Sequence, residues 1–145
     1  MKAIIKRSAV FAAASLMLAM SVLVPINKAS AAVTYNNTTT ASFCSSVNSS
    51  GLLSVNMSVV GMKTKTTRIA VELYVEKNLV LWIWLRVNIG YPNNVWTDSV
   101  NNYYYSDLFS TQLQSTGTYR VTVTYTVSGL GGADDIITGT DTVTY

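Results

Sequence analysis

Apolar and polar residues alternate one for one through much of the chain after residue 40. In the segment 53–59 the odd positions are apolar and the positions between them are polar, and the segments 69–75 and 119–127 largely repeat this pattern. A period of two sends successive side chains to opposite faces of an extended strand. Each segment therefore predicts a β-strand with one buried face and one solvent-facing face, and no segment after residue 40 shows helical spacing.

Clusters of turn-forming residues separate these segments, at 49–51, 77–78, 90–94, 115–117 and 129–135. Weaker strand patterns raise the total to about seven or eight short strands, rich in β-branched residues. These weaker patterns lie at 41–47, 96–100, 103–109 and 136–145. Because no helix is predicted to cover a parallel sheet, we expect an all-β domain, 41–145, formed by two antiparallel sheets packed as a β-sandwich. The polar segment 32–40 is expected to be a flexible lead-in.

The N-terminal segment has a different character. A basic start at residues 2–7 precedes an uncharged apolar run at 9–24, and small residues follow at 29–31. This order is typical of a secretory signal peptide, 1–31, cleaved after Ala31 or, as the alternative, one residue later. The run is shorter than the ~20 residues of a spanning helix, which disfavours a retained anchor. We expect a secreted, extracellular protein, released or held at the cell wall by non-covalent contacts.

Removal of this leader reverses the sign of the net charge. Ten basic residues less the four in the leader leave six, against seven acidic residues that all follow it, a net charge of −1. A protein with this balance has no basic excess to attract nucleic acid or anionic lipid. We therefore predict no nucleic-acid partner. No second apolar stretch of spanning length follows the leader, since 79–89 is too short and is broken by Arg86, so we also predict no membrane insertion after signal cleavage.

The composition also excludes much catalytic chemistry. The chain has no histidine, which removes Ser-His-Asp and Cys-His catalysis and most zinc sites. Glu72 and Glu76 lie roughly 13 Å apart along one strand, too far for a glycosidase pair. Asp134 and Asp135, together with Asp98 or Asp141, offer oxygens to calcium, but the spacing fits no EF-hand loop, and a polar hairpin explains Asp134 and Asp135. We predict no enzyme, no cofactor and no metal site.

Cys44 is the single cysteine of the chain. It has no partner for an internal disulfide, so stability must come from a packed core. We predict that Cys44 is a small buried side chain, with an intermolecular disulfide as the alternative.

The segment 117–123, GTYRVTV, resembles the sixth strand of an immunoglobulin or fibronectin type III sandwich, with Tyr119 at the position of a tyrosine corner. Immunoglobulin domains carry a cysteine two residues later, where this chain has Val121, and no tryptophan lies on the strand 69–75. The chain is thus more similar to cysteine-free fibronectin-like sandwiches. As a whole it resembles small secreted single-domain sandwich proteins of Gram-positive bacteria, most of them without assigned function. The resemblance covers 41–145 and implies an architecture but no active site.

The segment 79–89, LVLWIWLRVNI, is the strongest candidate for a functional surface. Its odd positions are all aliphatic, so we expect them to face the core and Trp82 and Trp84 to face outward. A three-residue loop, 77–79, would pair Tyr74 with Trp82 and Glu72 with Trp84. The predicted outer surface comprises Glu72, Tyr74, Glu76, Trp82, Trp84 and Arg86, and Arg120 joins it if the strand 119–127 is adjacent.

An aromatic surface with charged edges fits three roles. The first is a non-catalytic module that binds an unknown protein or a cell-envelope component. The second is a carbohydrate-binding module in which cell-envelope glycans stack on the aromatic rings. The third is a structural protein that self-associates through this surface. The competing interpretation is that Trp82 and Trp84 pair within the sheet, or are covered by 91–105, and have no function.

Overall fold

Eight strands form along residues 34–145, the part of the chain that this computed structural model describes. They are β1 (Thr38–Val47), β2 (Leu52–Gly61), β3 (Thr66–Val80), β4 (Ile83–Arg86), β5 (Trp96–Val100), β6 (Tyr104–Gln112), β7 (Thr118–Gly129) and β8 (Asp135–Thr144), with a 3₁₀ turn at Pro92–Asn94. The predicted signal peptide and its cleavage site at Ala31 lie outside the described residues. Within 34–145, no helix is long and apolar enough to cross a membrane.

The strands are arranged in two antiparallel sheets. One sheet has the order β1-β2-β6, and the other has the order β4-β3-β7-β8, with β5 also paired to β3. The chain crosses from one sheet to the other after β2, after β5 and after β6. The predicted all-β, two-sheet antiparallel sandwich is confirmed.

The core consists of the side chains that the period of two predicted to be inward. The buried members of the three strongest patterns are Leu53, Val55, Met57 and Val59 on β2, Ile69, Val71, Leu73 and Val75 on β3, and Tyr119, Val121, Val123, Tyr125 and Val127 on β7. Trp96 and Phe109 extend this core from β5 and β6, with their ring centroids 5.5 Å apart. Burial of this apolar surface is the main force that holds the two sheets together.

Tyr119 makes the hydrogen bond expected of a tyrosine corner. Its ring is buried, and its Oη donates to the carbonyl oxygen of Ser115 at 2.5 Å. A buried hydroxyl needs such a partner because an unpaired one carries its full desolvation cost. The contact attaches the loop between β6 and β7 to the start of β7.

The first strand begins inside the segment that was predicted to be a flexible lead-in, 32–40. β1 starts at Thr38, and Asn37 is fully buried. The carboxylate of Asp135 accepts hydrogen bonds from the backbone N–H groups of Asn36, Asn37 and Thr38, at 2.8, 2.8 and 2.9 Å. Burial by itself would raise the pKa of Asp135, but these bonds outweigh it and the pKa is lowered. The prediction of a flexible lead-in is wrong from Asn37 onward, because the backbone N–H groups there donate hydrogen bonds to Asp135, which is distant in the chain.

Cys44 lies on the outward side of β1 and is exposed, so the prediction that it is buried is wrong. Alternation along β1 turns the neighbouring Phe43 inward, where it packs against the core, and therefore turns Cys44 outward. Because the other residues of β1 are mostly serine and threonine, the strand has too little alternation of apolar and polar residues to predict which face Cys44 lies on.

Candidate functional site

The hairpin formed by β3 and β4 extends beyond the last pair of β3 with β7. β3 continues to Val80, but its last residue paired with β7 is Lys77, opposite Tyr119. Three further residues at ~3.3 Å each carry the hairpin roughly 10 Å past that pair. The end of the hairpin therefore projects without any pairing to β7, which lies on the side of β3 opposite β4.

The register of this hairpin differs from the predicted one. The pairs observed are Glu76 with Arg86, Lys77 with Leu85, Asn78 with Trp84 and Val80 with Ile83. Tyr74 does not face Trp82, and Glu72 does not face Trp84, which corrects both predicted pairings. Glu72 lies instead in the middle of the sheet, between Thr97 on β5 and Thr124 on β7.

The turn is formed by Leu81 and Trp82 rather than by the predicted loop 77–79. Leu81 adopts the left-handed backbone conformation, with φ of 48°, which is uncommon for a bulky residue. Asn78 lies within β3, and its Nδ2 donates to the carbonyl oxygen of Leu81 at 2.9 Å. Asn78 thus supports the turn from within β3 and is not part of it. Because asparagine is common in turns, the sequence pattern predicted the loop at 77–79, too early in the chain.

The end of the hairpin is apolar and exposed. We call this cluster the apolar tip; it comprises Leu79, Val80, Leu81, Trp82, Ile83 and Leu85, all of them exposed. Leu81 and Trp82 each expose 79% of their surface. The prediction that the odd positions of 79–89 face the core is wrong for four of the six, and only Val87 and Ile89 contact the core. Among residues 34–145, the opposite sheet does not bury the other four.

Two arginines lie over aromatic rings at the base of the hairpin. The Arg86 guanidinium carbon is 3.9 Å from the centroid of the Tyr74 ring, and that of Arg120 is 4.5 Å from the centroid of the Trp84 ring. Arg120 also donates from Nε and Nη2 to one oxygen of Glu76, at 2.9 and 2.6 Å. The expected addition of Arg120 to this surface is confirmed, because β7 pairs with β3.

A third cation lies at the same level on the other face of β3. Lys77 Nζ donates to Ser115 Oγ at 2.7 Å and lies 5.6 Å from the centroid of the Tyr119 ring. We call Lys77, Arg86 and Arg120 the cationic base. With the carboxylate of Glu76 included, this level of the hairpin carries a local charge of +2, since it holds three cations and one anion.

The predicted aromatic surface is therefore divided in two. Tyr74, Trp84 and Arg86 come together on the outer face of β3 and β4, whereas Trp82 lies apart in the turn. Neither tryptophan belongs to the core, as predicted. One face of the Tyr74 ring and one face of the Trp84 ring are occupied by a guanidinium, which leaves fewer free faces on which a sugar ring can stack.

The aliphatic members of the apolar tip were missed as surface residues. The run 79–85 contains seven consecutive apolar residues, so it has no alternation to distinguish a wet face from a buried one. Exposed runs of this kind are rare in strands unless they serve a function. That lack of alternation is the signal that distinguishes this segment from β2 and β7.

Of the aspartates considered as calcium ligands, Asp135, Asp141 and Asp98 accept hydrogen bonds within the fold. Asp141 accepts hydrogen bonds from Ser45 Oγ and Ser45 N, at 2.5 and 3.1 Å, and the hydroxyl contact is the main reason that its pKa is lowered. Asp98 accepts a hydrogen bond from Tyr105 Oη at 3.2 Å. Burial, followed by the charge of Asp98, raises the pKa of Tyr105. These carboxylates join strands to one another.

Comparison of the chain with models of protein families, with curated proteins and with solved structures returned no match. No residue role is therefore transferred from a relative. The apolar tip and the cationic base are the features of the described residues on which a functional proposal rests.

Proposed function

We propose that this protein is a secreted, non-catalytic β-sandwich module that binds a partner at the cell envelope through the apolar tip. The observation that carries the proposal is the 79% exposure of both Leu81 and Trp82 at the end of a projecting hairpin. Contiguous exposed apolar patches on soluble domains mark interaction sites, because they otherwise promote aggregation. A projecting segment on a rigid scaffold is also a common place for a binding site.

The requirements of folding do not explain the composition of the tip. Its six side chains add nothing to the hydrophobic core, and Leu81 occupies a backbone conformation that asparagine or glycine would adopt at lower cost. A polar turn would serve the fold better. The proposal accounts for both features, since a partner would cover the apolar side chains.

The base of the hairpin supports the proposal because it restricts the motion of the tip. Arg120 joins β7 to β3 through Glu76 and contacts β4 through Trp84, while Arg86 contacts β3 through Tyr74. Such contacts each contribute about 0.5–1 kcal/mol at partly exposed sites. A hairpin held in this way loses less conformational freedom on binding.

A carbohydrate-binding role is less well supported by the same geometry. Trp82 is flanked by aliphatic side chains, which offer no hydrogen bonds to sugar hydroxyls, and the rings of Tyr74 and Trp84 are stacked with arginines. Sites for polar ligands combine apolar surface with a few placed polar groups. The tip suits an apolar partner better than a glycan.

Co-sedimentation with isolated bacterial cell envelopes tests this proposal. The domain from Ala32 onward contains the compact unit Thr34–Tyr145 with its own core, so it is expected to fold by itself. We compare it with the double variant Leu81→Ser/Trp82→Ser. The matched control is Leu130→Ser/Ile136→Ser, which removes two exposed apolar side chains near the opposite end of the same sheet.

We expect the unmodified domain and the control variant to sediment with envelopes and the tip variant to remain in the supernatant. Equal sedimentation of all three proteins would contradict the proposed site. Failure of the unmodified domain to sediment would contradict an envelope partner. Circular dichroism of each variant establishes that the fold is retained.

A further inference from the structure

We propose that the partner of the apolar tip is a lipid bilayer rich in anionic lipid, into whose interfacial layer the tip inserts while the cationic base contacts the headgroups. This inference rests on the proposed function and names the class of partner. It departs from the expectation of no membrane insertion, which rested on the shortness of the apolar segment 79–89 and its interruption by Arg86.

The dimensions of the hairpin fit interfacial insertion. The tip reaches roughly 10 Å beyond the last pair of β3 with β7, and amphipathic segments bury their apolar face ≈ 5–10 Å into the boundary between headgroups and acyl chains. The tip is a narrow projection, formed by two strands and a two-residue turn. A deformable lipid layer accepts such a shape, whereas a protein partner needs a groove that matches it.

One polar backbone group of the turn is already hydrogen-bonded within the protein. Polar backbone groups that enter an apolar medium must be hydrogen-bonded within the protein. The carbonyl oxygen of Leu81, which no strand partner reaches, accepts a hydrogen bond from Asn78 Nδ2 at 2.9 Å. The side chains of the turn are leucine and tryptophan instead of the glycine and asparagine that such turns usually carry.

Trp82 is the side chain expected at a membrane boundary. Tryptophan is enriched at this depth because the indole ring is apolar while its N–H group needs a polar partner. Trp82 lies in the turn with most of its surface free, and its aliphatic neighbours Leu81 and Ile83 are exposed beside it. Together they form an insertion surface with no charged side chain in the turn itself.

The charges behind the tip complement an anionic surface. Arg86 is exposed and lies three residues behind Ile83, roughly 10 Å at the rise of a strand. Its guanidinium lies over the Tyr74 ring, on the side of Arg86 that is away from the turn, so it stays behind the inserted tip, where a guanidinium binds phosphate oxygens well. Lys77 and Arg120 lie at the same level on β3 and β7. Half of the six cations of the mature chain therefore lie at this end of the sandwich, although its net charge is −1.

The intrinsic fluorescence of the domain provides the first readout. The three tryptophans differ in environment: Trp82 is exposed, Trp84 is half-buried and Trp96 is buried. We titrate the domain with vesicles of phosphatidylcholine alone and with vesicles of phosphatidylcholine and phosphatidylglycerol in equal parts. We expect a blue shift and protection of Trp82 from acrylamide with the anionic vesicles, and a loss of binding as salt is raised.

Variants separate insertion from charge. Leu81→Ser keeps the Trp82 reporter and is expected to weaken partitioning to anionic vesicles at least ~10-fold, because a fully exposed leucine is no longer buried. Arg86→Gln is expected to weaken it about 5-fold on anionic vesicles and to leave binding to neutral vesicles unchanged. Leu130→Ser/Ile136→Ser is the matched control and is expected to bind as the unmodified domain does.

The outcomes distinguish this inference from the proposed function. Envelope binding that needs the tip, with no binding to either vesicle, would overturn the lipid assignment and leave the binding module in place, with a protein or glycan partner. Sedimentation equilibrium that shows a dimer lost in Leu81→Ser, again without vesicle binding, would assign the tip to a second copy of the chain. Equal binding to neutral and anionic vesicles would overturn the role of the cationic base.

Discussion

Arg120 on β7 donates two hydrogen bonds to the same carboxylate oxygen of Glu76 on β3, from Nε at 2.9 Å and from Nη2 at 2.6 Å. The two residues are directly opposite in the β3–β7 register. The pair holds the Arg120 guanidinium where it also lies 4.5 Å from the centroid of the Trp84 ring. Arg120 thus joins β7, β3 and β4 at the base of the projecting hairpin.

A double-mutant cycle on this pair tests its contribution to stability. We expect Glu76→Gln and Arg120→Gln to show a coupling energy of about 0.5–1 kcal/mol, because the pair is only partly shielded from solvent. Urea unfolding of the unmodified domain, both single variants and the double variant measures it. Strictly additive effects would mean that the two side chains do not stabilise the fold as a pair.

Leu81→Asn is expected to stabilise the domain while it weakens envelope binding. Asparagine tolerates the left-handed conformation of Leu81, so relief of strain should raise the free energy of unfolding by roughly 0.5–1 kcal/mol. Val80→Asn is the matched control, since Val80 is also exposed but lies in β3, and asparagine is unfavourable in strands. Urea unfolding of both variants decides the matter, and a loss of stability in Leu81→Asn would show that the side chain contributes to the fold.

Asp135→Asn is expected to destabilise the domain by about 2–4 kcal/mol at neutral pH, because hydrogen bonds from backbone N–H groups to a charged oxygen are lost or weakened. The pKa of Asp135 is lower in the folded state than its ordinary value of 3.8. The stability that depends on this carboxylate is therefore fully present above the unfolded-state pKa and is lost as the pH falls through the folded-state pKa.

The difference in stability between the unmodified domain and Asp135→Asn should thus become smaller below about pH 4. Urea unfolding at pH 7 and at a series of lower pH values measures this difference. Asp134→Asn is the control, since no strand-joining hydrogen bond of Asp134 is present among the described residues. A difference that stays constant down to pH 2 would contradict the assigned role of the Asp135 carboxylate.

Tyr119→Phe is expected to lower the free energy of unfolding by about 1–2 kcal/mol, because the carbonyl oxygen of Ser115 loses its buried donor. Tyr104→Phe is the control: Tyr104 is half exposed, and a change there should stay within about 0.5 kcal/mol. Thermal unfolding of both variants compares them. Equal effects would mean that the hydroxyl of Tyr119 adds no stability beyond that of its ring.

The inward faces of β2, β3 and β7 were predictable because each strand is covered by the opposite sheet along the alternating part of its length. Val55, Val71 and Val123, for example, are each buried as their position in the pattern requires. The beginning of β1 was not predictable in the same way. Asn37 is buried because Asp135, distant in the chain, accepts its backbone hydrogen bond, and no local pattern reports such a partner.

The amino-acid sequence alone determined the all-β class and the faces of the main strands, because one-sided burial leaves a local period of two, and it singled out the segment 79–89 by its apolar run. Only the tertiary structure decided that most of this segment is uncovered. An apolar run is buried only where a neighbouring element covers it. Here β3 continues past its last pair with β7, Lys77 with Tyr119, so β7 does not cover its end. Where one strand ends relative to another depends on contacts between distant parts of the chain, so local periodicity could not reveal that Leu81 and Trp82 face solvent.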